Sequence, residues 1–89
     1  MLRVSTMTDG QLVEHWRSER GWTQEQLAEE VTKVLRKADP SAGITRNAVA
    51  MWEQGRNGLT EPNRRALIKA LGLTSAEFYE PETKKRAVR

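Results

Sequence analysis

From Thr8 onward the apolar residues recur at helical spacing. Leu12, Val13 and Trp16 form an i, i+1, i+4 stripe, the pattern of a helix with one buried face. Thr8 and Gln11 ahead of the stripe fit a capping box, and Gly21 after it is a natural C-cap. Thr23 and Gln26 repeat the device before Leu27, Ala28, Val31, Val34 and Leu35. The spacing predicts a second helix running to about Arg36, with Lys33, Arg36 and Lys37 favourable near its negative C-terminal end. The stretch "ADPSAG", Ala38 to Gly43, reads as a loop.

The next segment, "ITRNAVAMWEQGRNG" from Ile44 to Gly58, contains a third helix of little more than two turns, capped by Thr45 and stopped by a glycine. At about 100° per residue, Ala48, Val49 and Trp52 share one face. Arg46, Asn47, Ala50 and Gln54 point roughly the other way, with Met51 on the flank. One face is suited to burial and the other to a polar partner. A fourth helix is capped by Thr60, tolerates Pro62 in its first turn, buries Ala66, Leu67, Ala70 and Leu71, and ends at Gly72. Thr74 to Glu77 is another capping box and opens a short fifth helix that buries Phe78. No segment alternates as a strand does. The pattern predicts an all-α fold, a compact bundle of about five short helices over residues 8–80. Residues 1–7 are expected to be a flexible N-terminus and 81–89 a basic, disordered tail.

Composition narrows the chemistry. At 89 residues this is one small domain that needs dense packing or a partner. With no cysteine, disulfides, thiolate metal sites and cysteine nucleophiles are excluded. No apolar run reaches the length of a membrane span and the N-terminus has no secretory h-region, so a soluble, cytoplasmic protein is expected. The net charge is +3, and it is unevenly spread: residues 1–40 balance to −1 and residues 41–89 to +4. The basic excess begins where the third helix begins, which suggests a polyanionic partner, nucleic acid before membrane. Lys84, Lys85 and Arg86 in the tail would add non-specific electrostatic affinity.

Enzymatic chemistry finds no footing. The only histidine, His15, has no nucleophile or second ligand near it in sequence. There is no glycine-rich phosphate loop, metal-ligand spacing or carboxylate pair. The expectation is a non-enzyme without cofactor or metal. Trp16, Trp22 and Trp52 read as core residues, Trp22 standing at the hydrophobic-staple position before an N-cap. The third helix is more informative. B-DNA's major groove is about 12 Å wide and admits one α-helix, whose N-terminal residues reach base edges. Arg46 could pair bidentately with guanine O6/N7 and Asn47 with adenine N6/N7. Ala50 would allow close approach or touch a thymine methyl. Gln24, at the start of the second helix, could hold a phosphate beside the backbone amides there.

The segments "GWTQEQLAEEV", "ITRNAVAMWEQGR" and "ALIKALGLTSAEFYE" resemble the Cro/repressor-type (XRE-type) helix-turn-helix family over about Leu12 to Tyr79. The resemblance implies a lambda-repressor-like helix-turn-helix domain. It assigns base contacts to Arg46, Asn47, Ala50 and Met51 and a phosphate contact to Gln24. Beside these, Thr23, Thr45 and Arg56 are expected as further phosphate contacts. The resemblance also implies an ion pair between Arg17 and Glu53. This chain departs from the family pattern by placing eleven residues, Thr32 to Ala42, where the tight turn should follow. Periodicity through Leu35 assigns most of them to an extended second helix and the rest to a longer turn.

The function expected is a sequence-specific DNA-binding transcriptional regulator, a repressor acting by operator occupancy. An antitoxin that autoregulates its operon with a toxin as partner, and a protein-interaction module without DNA readout, are the rival expectations. One reading helix touches too few base pairs to find one site among roughly 10⁶–10⁹ competitors, so a homodimer on a palindromic operator is expected. Leu73, Phe78 and Tyr79 are the candidate dimer surface, since exposed apolar clusters mark interfaces.

Overall fold

A computed structural model describes residues 7–56 and 59–80. The expectations for residues 1–6, for Lys84, Lys85 and Arg86, and for the rest of the 81–89 tail lie outside the described residues. The described chain is an all-α bundle of five helices in the order α1 (Asp9–Arg20), α2 (Gln24–Arg36), α3 (Arg46–Gln54), α4 (Glu61–Ala70) and α5 (Ser75–Tyr79). Met7, one residue before the expected start of the domain, already packs against the core.

Each helix starts where a threonine side chain accepts a backbone N–H from the first turn: Thr8, Thr23, Thr45, Thr60 and Thr74 are the N-caps. The glutamine or glutamate three residues on completes a reciprocal box at α1, α2 and α5. Such a cap satisfies amides that have no intrahelical partner and is worth about 1 kcal/mol. Because the device is local, it marks the helix boundary without needing a tertiary contact.

The core joins the expected stripes: Leu12, Val13 and Trp16 from α1, Leu27, Ala28 and Val31 from α2, Val49 and Trp52 from α3. From α4 come Ala66 and Leu67, together with Ile68, which the expected stripe omitted. Ala70 and Ala48, expected inside, are only half-buried. Val34 and Leu35 are likewise half-buried, packed against the edge of the core. α2 packs on α3 and α4, while α1 packs on α3 and α5. The indole Nε1 of Trp16 donates to the Phe78 carbonyl at 2.9 Å, and Arg20 Nη2 donates to the Leu71 carbonyl. These two bonds attach the C-terminal end of the domain to α1.

One expectation about this end is corrected. Leu73 is 8% and Phe78 0% exposed, so both belong to the monomer's own core and cannot form an exposed apolar surface. A short helix pinned by Trp16 turns Phe78 inward. Of the three residues only Tyr79 remains half-exposed, its ring edge-on to Phe78 at 5.0 Å. Partial burial, and after it the nearby Asp9 carboxylate, raises the Tyr79 phenol above its ordinary pKa.

Candidate nucleic-acid interface

The expected reading helix, α3, is held at both ends and along one side. Its N-terminus is closed by Thr45 Oγ1 accepting from Ala48 N at 3.1 Å. Its C-terminus ends at Gly55, whose φ of 73° is a left-handed conformation that side chains other than glycine adopt at a cost. Val49 and Trp52, 0% and 5% exposed, fasten the inner face to the core.

The last turn carries a polar clamp. Glu53 Oε2 accepts from Arg17 Nε at 2.6 Å, and Oε1 accepts from Arg17 Nη2 at 3.2 Å and Gln24 Nε2 at 2.9 Å. Arg17 Nη1 donates to the Trp22 carbonyl at 2.9 Å. One carboxylate thus ties α3 to the end of α1, and to the start of α2, while the same arginine holds the turn between those two helices. Side-chain exposures of 17% for Arg17 and 7% for Glu53 make this a largely buried pair. The hydrogen bonds to Glu53, more than its charge, hold the Arg17 guanidinium above its ordinary pKa. An acid at the negative end of a helix is unfavourable by itself; the guanidinium fork offsets it. The Arg17–Glu53 pair implied by the family resemblance is present.

Beneath the clamp lies a contact that sequence reading missed. Gly10 stands where α1 crosses α3, and a Cβ there would fall 2.5 Å from the Trp52 carbonyl oxygen and 2.7 Å from that of Glu53. Only glycine permits so close a backbone approach. A glycine inside a capping box before a helical stripe was the available signal, since a helix interior normally disfavours it.

On the outer face, Arg46 and Asn47 are exposed in the first turn of α3. Arg46 makes no ion pair among the described residues. Ala50 and Met51 are half-buried beside them, and Gln54 is exposed further along. The four residues assigned to base contact therefore form one surface, with the two polar ones most accessible. Arg56, also exposed and without an ion pair among the described residues, follows the end of α3. Thr23 and Thr45, assigned to phosphate, are exposed N-caps whose hydroxyl oxygens already accept helix amides; each hydroxyl proton can still be donated.

Gln24 stands differently from the expectation of a side chain free for phosphate. Its amide directs one N–H at Glu53, leaving a second donor on the same nitrogen. Any phosphate contact by Gln24 is thus oriented by Glu53. On the expectation that Gln24 holds a DNA phosphate, Gln24→Ala should weaken that binding by about 1 kcal/mol, equally for all sequences, because phosphate contacts carry no base information. Gel-shift titrations against several duplexes test this, and a changed order of preference would contradict it.

No protein-family model, curated protein or solved structure matches this chain. Among the described residues, no helix is long and apolar enough to cross a membrane.

Proposed function

We propose that this chain is a sequence-specific DNA-binding regulator of the Cro/repressor helix-turn-helix type, repressing transcription by occupying an operator. The observation that carries the proposal is the pairing of opposites on α3. Its inner face and far end are locked by Val49, Trp52 and Glu53, while Arg46 and Asn47 stand exposed at its capped N-terminus. Base readout needs this combination, because donors must be presented from an element that does not move when the partner arrives.

In the proposed complex the N-terminus of α3 enters the major groove. Arg46 donates bidentately to guanine O6 and N7, and Asn47 pairs with adenine N6 and N7. Ala50 admits close approach to a thymine methyl and Met51 flanks it. Thr23, Gln24, Thr45 and Arg56 contact phosphates and set the register of the protein on the duplex. Two copies on a palindromic site would place two reading helices about 34 Å apart. With Leu73 and Phe78 in the core, their contact would have to use other surface residues, Tyr79 among them.

Selection of bound sequences from a random duplex pool tests the reading. It is expected to return a palindromic site, and Arg46→Ala should lose about 1–3 kcal/mol on that site while relaxing the preference at one base position. Equal loss on selected and random duplex would make Arg46 a phosphate contact. A non-palindromic site bound by one chain would remove the two-fold arrangement.

A further inference from the structure

Between the last turns of α2 and the segment leading into α3 lies an open groove that the reading surface does not account for. Thr45, the N-cap of α3, lines one part of it, so the groove borders the first residues of the proposed reading helix. Lys33 and Arg36 line another part. The Glu29 carboxylate also lines the groove, and Lys33 pairs with Glu30 at 3.1 Å. That pair is exposed, and exposed pairs yield readily to a stronger anion.

The segment is fixed, not slack. Thr32 Oγ1 accepts from Ile44 N at 2.8 Å and donates to the Ile44 carbonyl at 3.3 Å. Asp39 accepts from the amide and hydroxyl of Ser41, and these bonds, the hydroxyl's first, hold its carboxyl below the ordinary range. Arg36 Nε donates to the Ala42 carbonyl at 2.8 Å. This anchors the planar guanidinium while leaving its two terminal nitrogens as donors.

Gly43 supplies a second, independent observation. Its φ is not positive, and a Cβ there would meet nothing nearer than Arg36 Nη2 at 3.8 Å. Neither backbone conformation nor internal packing requires glycine at this position. A methyl there would stand in van der Waals contact with Arg36 Nη2, so glycine leaves room beside that nitrogen within the groove.

We propose that this groove is a phosphate seat. It takes a DNA-backbone phosphate flanking the bases read by Arg46 and Asn47, held by the terminal nitrogens of Arg36 and the ammonium of Lys33. The proposal rests on the DNA-binding function proposed above and gives a role to the eleven residues Thr32 to Ala42, of which Thr32 to Arg36 prolong α2 and the remaining six form the loop. An anchored guanidinium suits this task, because its fork matches phosphate geometry and little freedom remains to be lost on binding. Such a contact adds affinity and fixes register without reading sequence.

The test uses the full chain and the selected duplex, titrated between about 50 and 200 mM salt. Wild type, Arg46→Ala, Gly43→Ala, Lys33→Gln and the double variant Lys33→Gln/Arg36→Gln are measured side by side, with thermal melts of each. The double variant is expected to flatten the log affinity–log salt slope by about 1–2, on selected and random duplex alike, with base preference unchanged. Gly43→Ala, which keeps both cations, should weaken binding without lowering the melting temperature. If the double variant fails to fold, Lys33→Gln and Gly43→Ala decide: wild-type slope and affinity in both would overturn the seat. Arg46-dependent preference together with wild-type slopes in every groove variant would overturn the seat alone. Failure of wild type to bind any duplex would overturn both proposals. Groove variants that bind DNA normally but lose affinity for a poly-glutamate peptide would assign the groove to an acidic protein segment and overturn the seat.

Discussion

Glu53→Ala is expected to cost about 3–5 kcal/mol of folding stability, because it leaves the Arg17 charge largely buried without its partner. The substitution removes the acceptor for Arg17 Nε and Nη2 and for the Gln24 amide at once. A domain of 89 residues has roughly 4–13 kcal/mol in all. The loss is therefore a large fraction of the margin, and the melting temperature should fall steeply. The reason is desolvation. At 17% exposure the Arg17 head has little water to replace the carboxylate, and its remaining bond, to the Trp22 carbonyl, is to a neutral group. Removing both partners, as in Arg17→Met/Glu53→Met, should cost less than the sum of the single variants, since no uncompensated charge is left behind. Thermal melts of both singles and the double decide. Simple additivity would show that the two residues do not support one another.

Gly10→Ala reverses the usual sign of that substitution. In an exposed helix interior, alanine is better than glycine by about 1 kcal/mol. Here the added methyl would stand 2.5 Å from one main-chain oxygen and 2.7 Å from another, both on α3. A side chain could rotate away, but the carbonyls of Trp52 and Glu53 belong to a helix and cannot. The two helices must separate, and the residues that move include Trp52, which packs the core, and Glu53, which holds the clamp. Steric cost therefore exceeds propensity gain. We expect a net loss of about 2–3 kcal/mol, or roughly 10–20 °C in melting temperature at about 4–8 °C per kcal/mol. An unchanged or higher melting temperature would show that α1 can slide along α3 without penalty.

Both effects bear on the proposed DNA reading through the same route. Arg46 and Asn47 are presented by a helix whose far end is positioned by Gly10, Arg17 and Gln24. None of these three needs to touch a base to influence how the first turn of α3 meets one. A variant at any of them that still folds should bind DNA less well while keeping the preferred bases.

The sequence by itself determined the five helices and their limits, and the reason is range. A threonine cap and its partner three residues later act within one turn, and an apolar stripe recurs within four residues. The resemblance to helix-turn-helix proteins carried the Arg17–Glu53 pair, which the structure contains. The arrangement of residues distant in the chain was settled only in three dimensions. Gly10 reads as an ordinary first-turn residue until the backbone of Trp52 and Glu53 lies against it. Gln24 reads as a free amide until Glu53 arrives to accept its hydrogen bond. In the sequence Phe78 reads as a buried residue of the fifth helix and, together with Leu73, as a dimer surface. Trp16, 62 positions before Phe78, decides for the core by capturing its carbonyl. Thr32 and Arg36 read as helix residues until the following loop folds back onto them at Ile44 and Ala42. In each case the partner lies outside the turn of helix whose spacing is read, and a periodic pattern cannot tell which atom beyond it will complete a contact. Local hydrogen bonding decides where helices begin and end; packing decides which of their residues meet.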